Sequence, residues 1–503
     1  MLKFLDNMVE HVLLHYRWFF VVFFLLPLSV IYEIYSLARN WLIFKLNTAP
    51  QQHEKRVKII QRQVKEWKAK FSNRQMCTAR PGWQTMSFRQ GRYKSSMFNV
   101  RIGMYDILEV NVDEKYVRVE PMVTMGQLSR TLNQLGWTIP VLPEIDDLTV
   151  GGLIMGTGVE TSSHKYGLFQ HTCRAFEVVL CDGSVVKCSR TDNVELFHAI
   201  PWSHGTIGFL LAADIDIVPA RKLVKLHYQP VHNLKKAIQV FKKASYDTSN
   251  DFVEAIMFSL DDGVVMTGVM VDADNCTKTN EIGRWYKPWF FKHVESKLYK
   301  DMKYLTEYIP LRHYYHRHTR SLFWELQNIV PFGNNFLFRL LLGWTMPPKV
   351  SLLKLTQTKS IKKLYETQHI IQDMLIPIEK LEDAIIMFNK KVEVYPLWLC
   401  PFKLTDDPGF VHSHQSSSEM YVDVGVYGIP GTRDYEATRT TREIEKFVSD
   451  VHGYQMLYAD TYTTRDEFRK MFDHTLYDKM RKSLNCEKAF SEVYDKVNKN
   501  ARI

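Results

Sequence analysis

The stretch that decides the fold is residues 149–167, which read TVGGLIMGTGVETSSHKYG. Several glycines in an apolar context let backbone N–H groups approach an anion closely, and the hydroxyls of Thr157, Ser162 and Ser163 add further donors. A pyrophosphate is the anion that such a loop fits. A tight turn without a ligand is the alternative interpretation, because glycine-rich stretches also form ordinary turns.

The loop matches neither of the two best-known phosphate motifs. Gly156 and Gly158 begin a G-x-G-x-x-G pattern, but Thr161 stands where the third glycine belongs. The loop also lacks the Lys-Ser or Lys-Thr pair that closes a P-loop. The loop by itself is therefore weak evidence, and the sequence around it has to decide.

The sequence around the loop mixes short strand-like and helix-like patterns, which predicts an α+β fold. Residues 116–119 alternate as a strand, and Thr124 with Gln127 makes a capping box that opens a helix ending at Gly136. Asp182-Gly183 separates two β-branched runs and predicts a hairpin. A later stretch, richer in aromatic residues, predicts strands near residues 264–271, 392–398 and 420–426.

The length of 503 residues exceeds what a single core usually supports. We expect four parts. They are an N-terminal membrane anchor (1–45), a domain around the glycine-rich loop (46–222), an α+β cap or substrate domain (223–435) and a mostly helical C-terminal segment (436–503).

The N-terminal part contains an apolar run, residues 18–38, with Glu33 as its only charge. Its length predicts one transmembrane helix; a buried or interfacial hairpin and a cleaved signal peptide are the alternatives. Lys and Arg are denser after the run than before it, which favours a cytoplasmic body. The seven cysteines have no C-x-x-C spacing and point to reduced thiols, in agreement with that location.

The formal net charge of +10 does not indicate nucleic-acid binding, because the basic residues are scattered and form no reader motif. An anionic cofactor or membrane surface suits it equally well. His313, His316 and His318 lie close together, but no carboxylate or cysteine completes a recognised ligand spacing, so we expect no metal. Residues 313–320 are then either a basic aromatic patch beside a cofactor or an ordinary solvated surface.

The order of elements around the loop resembles the PCMH-type FAD-binding domain of the vanillyl-alcohol oxidase family. The resemblance rests on many elements in one order, namely Asp106-Ile107-Leu108, Val117 to Pro121, Gly126, Leu128, Gly136, Val150-Gly151-Gly152, Tyr166-Gly167, Glu177-Val178-Val179, Asp182-Gly183, Glu195-Leu196-Phe197, Gly205, Gly208 and Pro219. It implies a two-part α+β flavin domain and a second domain that covers the isoalloxazine.

The resemblance also implies a set of cofactor-binding residues. These are Arg80, Gly82, Val150, Gly151, Gly152, Leu153, Ile154, Met155, Gly156, Thr157, Gly158, Val159, Glu160, Thr161, Ser162, Ser163, Tyr166, Gly167, Gly205 and Gly208. Many members of the family attach the flavin covalently through a His beside the early turn. Here Trp83 follows Gly82, so we expect FAD to be held without a covalent bond.

Nearly the whole chain resembles the delta-24 sterol reductases, most distinctively in residues 142–158, 163–171, 286–293 and 310–320. This resemblance implies reduction of the side-chain double bond of desmosterol-like sterols, with FAD as hydride carrier and NADPH as donor. It also implies the endoplasmic reticulum membrane as the location, with the Golgi membrane as a second one. Homo-oligomers and association with other sterol-pathway enzymes stay open.

The implied substrate sets the chemistry, because an isolated alkene has no carbonyl to accept electrons. A proton donor has to act together with the hydride, in a dry pocket with aromatic walls. The candidate acids are Tyr314, Tyr315, His318, Tyr421 and Asp423, with structural hydrogen bonding as the alternative for each. Glu144, Asp146 and Asp147, ahead of the loop, are interpreted as capping or turn residues.

A cluster of large apolar residues has three interpretations: a sterol channel, a segment that dips into the membrane, or core packing. It comprises Trp285, Tyr286, Trp289, Phe290, Phe291, Trp344, Met346 and Pro347. Two rival functions also stay open. One is an FAD-dependent oxidase of the same family acting on a sugar alcohol or lactone, and the other is a flavin- or sterol-binding scaffold without turnover.

Overall fold

The computed structural model of the protein describes residues 2–79, 91–272, 278–300, 305–414 and 417–501. Helices and sheets are mixed along these residues, which confirms the predicted α+β class. The early turn with Arg80, Gly82 and Trp83, on which the argument for non-covalent flavin depends, lies outside the described residues.

The chain begins with one long helix, built from α1 (Leu2–Phe20), a π-helical turn (Val21–Leu25) and α2 (Leu26–Leu46). Its 37-residue part Glu10–Leu46 is long and apolar enough to cross a membrane, as the apolar run predicted. Pro27 is accommodated in the first turn of α2, where a backbone N–H is not needed. A narrow stripe of this helix is buried against the rest of the chain, and the remaining apolar side chains are exposed.

Helix α3 (Ala49–Lys70) follows and is amphipathic, with its buried apolar residues at helical spacing. Ile60, Val64 and Trp67 are buried and pack against the first domain. The opposite face is charged and exposed.

The first domain is built on a five-stranded antiparallel sheet with strand order β3-β4-β8-β6-β7. Two small two-stranded sheets, β1-β2 and β5-β9, accompany it. The strands are β1 (Met76–Thr78), β2 (Phe98–Val100), β3 (Ile107–Asn111), β4 (Tyr116–Val119), β5 (Trp137–Thr138), β6 (Cys173–Val179), β7 (Val185–Ser189), β8 (Phe209–Asp216) and β9 (Val218–Pro219). The helices are α4 (Met125–Gln134), α5 (Val150–Met155), α6 (Ser163–Tyr166) and α7 (Val194–Ala199).

Most local sequence signals of this domain are realised in the structure. The predicted capping box is realised only through Thr124, because the Gln127 side chain donates to the Tyr105 carbonyl at 3.3 Å. The Thr124 side chain accepts a hydrogen bond from the Gln127 N–H at the start of α4, and Gly136 takes a positive φ of 80° just after its end. Gly183, at φ 88°, turns β6 into β7, which confirms the predicted hairpin.

The second domain is built on an eight-stranded antiparallel sheet with strand order β13-β10-β12-β11-β15-β16-β14-β17. Its strands are β10 (Leu223–His232), β11 (Phe252–Met257), β12 (Asp262–Val271), β13 (Thr306–Pro310), β14 (Ile370–Pro377), β15 (Leu397–Leu404), β16 (Glu419–Gly428) and β17 (Tyr454–Gln455). Its helices are α8 (Leu234–Tyr246), α9 (Phe290–Glu295), α10 (Leu311–Tyr315), α11 (Leu326–Ile329), α12 (Phe336–Leu342), α13 (Val350–Leu353), α14 (Lys359–Gln368) and α15 (Leu381–Lys391).

Two of the three strands predicted here, β12 and β16, lie where the sequence placed them. The prediction for residues 392–398 was wrong before Leu397, where β15 begins. Glu393 has a φ of 48°, outside the extended region, and Pro396 has no backbone N–H for a sheet ladder.

The C-terminal part contains α16 (Ala437–Asp450), α17 (Arg465–Met471), α18 (Thr475–Ser483) and α19 (Tyr494–Val497). It also contributes β17, which pairs with β14 at the edge of the large sheet. From α18 the Arg481 side chain donates a 2.6 Å hydrogen bond to the Thr206 carbonyl of the first domain. This part therefore ties the two sheet domains together.

Candidate active site

A cavity of about 480 Å³ lies between the glycine-rich loop and the large sheet. The first domain lines it with residues of α5 and the following loop, including Gly152, Leu153, Gly156, Thr157 and Gly158. The large sheet lines it with Ile371 and Asp373 of β14, Trp398 of β15, and Asp423 and Tyr427 of β16. Its size and mostly apolar walls are typical of a small-molecule site.

The loop presents Gly152 to this cavity in a conformation that its neighbours fix. Thr149 caps α5, its side chain accepting a hydrogen bond from the Gly152 N–H. A Cβ added at Gly152 would have one neighbouring atom within 4 Å, the Thr149 Oγ1 at a distance of 3.1 Å. The remaining space around this Cβ is open. A Cβ at Gly156 would stand 2.9 Å from the Gly152 carbonyl oxygen. The backbone therefore forms a cradle that side chains would fill, which fits a flat or phosphorylated ligand such as FAD.

The predicted later flavin contact, Gly205 and Gly208, lies beside the loop. Gly205 has a φ of 68°, and a Cβ at Gly208 would stand 2.8 Å from the Val179 carbonyl. The adjoining His204 lines the cavity, and its backbone N–H donates to the Met155 carbonyl at 2.8 Å. These glycines hold the turn against the loop, although the cavity lining does not include them.

Several residues of the predicted cofactor-binding set make hydrogen bonds or packing contacts within the protein. Ser162 donates to the Pro140 carbonyl at 2.8 Å, and the Ser163 hydroxyl accepts from the Glu160 N–H at 3.0 Å. Gly151 packs on Pro121. The predicted residues that line the cavity are Gly152, Leu153, Gly156, Thr157, Gly158 and Val159; those that do not are Val150, Gly151, Ile154, Met155, Glu160, Thr161, Ser162, Ser163, Tyr166 and Gly167.

A buried ionic network joins the loop to the large sheet. The Arg317 guanidinium donates to Glu254 of β11 at 2.8 and 2.9 Å and to Glu160 of the loop at 2.9 Å. Trp398 and His318 also approach Glu254, at 2.9 and 3.4 Å. The Arg317 and His318 side chains are fully buried. The basic aromatic run of residues 313–320 therefore connects the loop to the large sheet through buried ion pairs and is not a solvated surface.

Four of the five candidate acids make internal hydrogen bonds and stand outside the cavity lining. The Tyr314 hydroxyl donates to Thr161 at 3.3 Å, and the Tyr315 hydroxyl accepts from Thr138 at 3.1 Å. The Tyr421 hydroxyl donates to the His452 carbonyl at 3.0 Å. His318 stacks on Phe323, with ring centroids 4.3 Å apart.

Asp423 is the candidate that lines the cavity. It is 1% exposed, and neither carboxyl oxygen has a hydrogen-bond partner among the described residues. Burial, with Asp373 and Glu144 nearby, raises the pKa of Asp423 well above its ordinary value. The geometry therefore presents to the interior of the cavity a buried carboxyl group whose protonated form is favoured.

Asp373, which the sequence analysis did not single out, lies next to Asp423 on the sheet. Asp373 pairs with Gly425 on β16, so Asp423 is its diagonal neighbour on the same face. The hydroxyls of Tyr427 and Tyr458 both donate to the Asp373 carboxylate. Burial raises the pKa of Asp373 to about 6, and the two hydroxyl donors oppose that rise. A lone acid in the apolar strand IIQDMLIP was the signal available in the sequence.

The three acids ahead of the loop divide between structure and cavity. Asp146 accepts from Arg312 at 3.0 Å and Asp147 from Lys349 at 2.7 Å, in agreement with a structural role, although Asp147 also lines the cavity. Glu144 lines the cavity and is 6% exposed. Burial and the neighbouring Glu160 raise the pKa of Glu144 well above its ordinary value. Glu144 is thus a second buried acid at the site whose protonated form is favoured.

Comparison with known proteins places the loop in a known domain type. A family model described as an FAD binding domain matches residues 60–189, which include α5 and the loop after it. The first domain is therefore an FAD-binding domain, and the cradle at Gly152 lies within it.

Full-length relatives extend the match to the whole chain. The "Delta(24)-sterol reductase" of Mus musculus is 56% identical over 98% of this chain and 96% of its own length. The Rattus norvegicus protein of the same name is 57% identical and the Homo sapiens one 56%, with the same coverage. At this identity and coverage, the chain belongs to the delta(24)-sterol reductase family.

Proposed function

We propose that this chain is a membrane-anchored flavoenzyme that reduces the side-chain delta-24 double bond of a sterol, with NADPH as the source of reducing equivalents. Identity of 56–57% to delta(24)-sterol reductases over 98% of the chain supports the reaction. The assignment of the site rests on one observation: the same cavity extends from the glycine cradle to the buried acids on the large sheet.

FAD would be held, without a covalent bond, by the backbone of the loop around Gly152 and Gly156, with Thr157 and His204 at the cavity wall. Bound there and reduced by NADPH, the flavin would supply the hydride. Pro143, Leu148, Leu322, Phe323 and Trp398 give the cavity an apolar and aromatic lining. Such a lining excludes water from the site and suits the hydrocarbon side chain of a sterol.

The chain's own residues supply the proton. The Asp423 carboxyl, whose raised pKa favours its protonated form, donates its proton to one alkene carbon while hydride reaches the other. Asp373 is a positioning residue, since its two phenolic partners favour its ionised form and its negative charge keeps Asp423 protonated. The faces of Phe323, Trp398 and Tyr427 stabilise positive charge that develops on the alkene.

The location proposed is the endoplasmic reticulum membrane, with the body on the cytoplasmic side. The N-terminal helix supports an anchor, and the cysteines, which are free thiols among the described residues, support a body in a reducing compartment. An anchored enzyme meets a lipid-soluble substrate at high local concentration.

One incubation tests the proposed reaction. Purified, detergent-solubilised protein would be mixed anaerobically with FAD, NADPH and desmosterol, and the sterol product identified by mass. We expect a product heavier by two hydrogens, in an amount equal to the NADPH consumed. NADPH consumption without a saturated sterol would refute the proposed reduction. Turnover only in a parallel aerobic incubation with a sugar alcohol or lactone would indicate the oxidase instead. A yellow protein that NADPH cannot reduce would indicate a scaffold.

A further inference from the structure

An apolar segment far along the chain is exposed on the surface of the second domain. It consists of α12 and the following turn, Gly343–Thr345, and no described side chain of α12 is buried. Phe338 packs partly buried against the core, whereas six of its large side chains are 36–68% exposed: Phe336, Leu337, Leu340, Leu341, Leu342 and Trp344. Contiguous apolar groups of this size on a surface indicate a contact with another molecule or with lipid.

This segment is continuous with two other exposed apolar elements. Arg339 of α12 donates to the Tyr286 carbonyl at 2.8 Å, and Trp285 and Tyr286 are each 41% exposed. The turn after α12 contacts α2, and the ring of Phe332 lies edge-on to Trp18 of α1, with centroids 5.2 Å apart. The segment, the Trp285-Tyr286 pair and the outward side of the N-terminal helix therefore form one surface, the apolar face.

The N-terminal helix is attached to the body along most of its length. Three hydrogen bonds attach its first two thirds: Glu10 accepts from the Ser360 N–H at 3.0 Å, Arg17 donates to the Leu353 carbonyl at 3.2 Å, and Ser29 accepts from the Lys349 N–H at 2.9 Å. Two ion pairs attach the rest, Glu33 with Arg130 at 2.7 Å and Arg39 with Asp106 at 2.9 Å. At 1.5 Å per residue these attachments span roughly 44 Å. The body covers one side of the helix over this distance, so lipid can reach only the other side.

We propose that the apolar face inserts as one unit into a lipid bilayer, with α12 as a second membrane-contacting segment beside the N-terminal helix. A bilayer is favoured over a second copy of the chain by the charges at the rim. Lys359 and Lys363 of α14 are exposed, and Lys45 lies 4.7 Å from the ring of Trp41 near the end of α2. Basic residues and tryptophan at the edge of an apolar surface match an anionic headgroup layer.

The cavity is close to this face. Helix α14 contacts α1, and it lines the cavity through Lys362, Tyr365 and Glu366. A sterol in the bilayer therefore has a short path to the site, a consequence that rests on the proposed function. The membrane contact itself does not.

Hydrophobic photolabelling tests the proposal without an activity measurement. The full chain would be reconstituted in phosphatidylcholine–phosphatidylserine vesicles that contain a diazirine-bearing lipid, irradiated, and mapped by peptide mass spectrometry. We expect label on residues 336–344 and on outward positions of the helix such as Ile31 and Ile34, but not on the buried Val21 and Leu26. Ile386, an exposed apolar residue of α15, should stay unlabelled.

A matched pair of variants sharpens the test. L337E/L341E should lower labelling of the 336–344 peptide at least about tenfold, because a charged residue partitions poorly into lipid. The control I386E should leave it unchanged. Melting followed by circular dichroism checks that both variants are folded. Absence of label on residues 336–344 in the unmodified chain would overturn the proposal, as would cross-links through this segment to a second copy.

Discussion

Replacing Asp423 by Asn should slow sterol reduction while leaving flavin reduction by NADPH fast. The Asn side chain has nearly the same shape, and the carboxyl it replaces has no hydrogen-bond partner among the described residues, so we expect little loss of stability. The amide cannot deliver a proton to the alkene. General acids contribute about 10²–10⁴-fold to rate, or roughly 2.7–5.4 kcal/mol of barrier. An unactivated alkene depends on its acid, so we expect a loss of at least about a hundredfold.

Anaerobic stopped-flow absorbance separates the two half-reactions. The first mixes oxidised enzyme with NADPH, and the second mixes reduced enzyme with desmosterol. Tyr421→Phe is the matched control, because Tyr421 lies on the same strand, hydrogen-bonds the His452 carbonyl and does not line the cavity. It should leave both rates within about twofold, since a phenol that touches no reacting atom contributes nothing to proton transfer.

The pH dependence gives a second readout. Asp423 acts in its protonated form, so the sterol half-reaction should be constant at low pH and fall as pH rises through its raised pKa. Asp373→Asn removes a neighbouring negative charge, which lowers the pKa of Asp423 and moves the fall to lower pH. A D423N enzyme with an unchanged sterol half-reaction, or a D373N profile that does not move, would refute the assignment.

Four further predictions concern the glycine cradle, the Arg317 ion pairs, the attachment of the flavin and the side of the membrane on which the body lies. Gly152→Val should abolish flavin retention, measured by absorbance, because the side chain fills the cradle, whereas Gly103→Val, outside the loop, should retain it; normal flavin in both would contradict the cradle. Arg317→Met should destabilise the fold by roughly 3–5 kcal/mol, seen in thermal melting, because two buried glutamates lose their cation, and unchanged melting would argue against the joint. Denatured protein should release all of its flavin; colour that stays with the chain would mean a covalent bond. Protease added to sealed microsomes should digest the body beyond Arg39, and protection until detergent is added would place it in the lumen.

Features that depend on neighbouring residues could be predicted from the sequence. The apolar helix, the Thr124 cap of α4 and the Gly183 hairpin each follow from a few adjacent side chains, and the structure contains all three. The start of β15 could not be predicted in this way, because Glu393 leaves the extended region after a run that is otherwise strand-like. Here the path of the chain overrides β-propensity.

The acid site depends on residues that meet only in the folded chain. Asp373 and Asp423 become neighbours because β14 and β16 pair in one register, and Glu144 comes from the first domain. Conversely, Arg317 and His318 suggested a cofactor site in the sequence because their partner Glu254 is distant along the chain. Strand pairing and domain packing decide both cases, and the local sequence shows only the lone Asp373 in an apolar run.

The most direct test of the central claim is a single turnover of the flavin by the sterol. Enzyme-bound FAD would be reduced anaerobically by one equivalent of NADPH, and desmosterol then added in the absence of oxygen. The account predicts that the absorbance of oxidised flavin returns as one equivalent of the saturated sterol forms. A reduced flavin that stays reduced in the presence of desmosterol, in a protein that is otherwise folded and yellow, would contradict it.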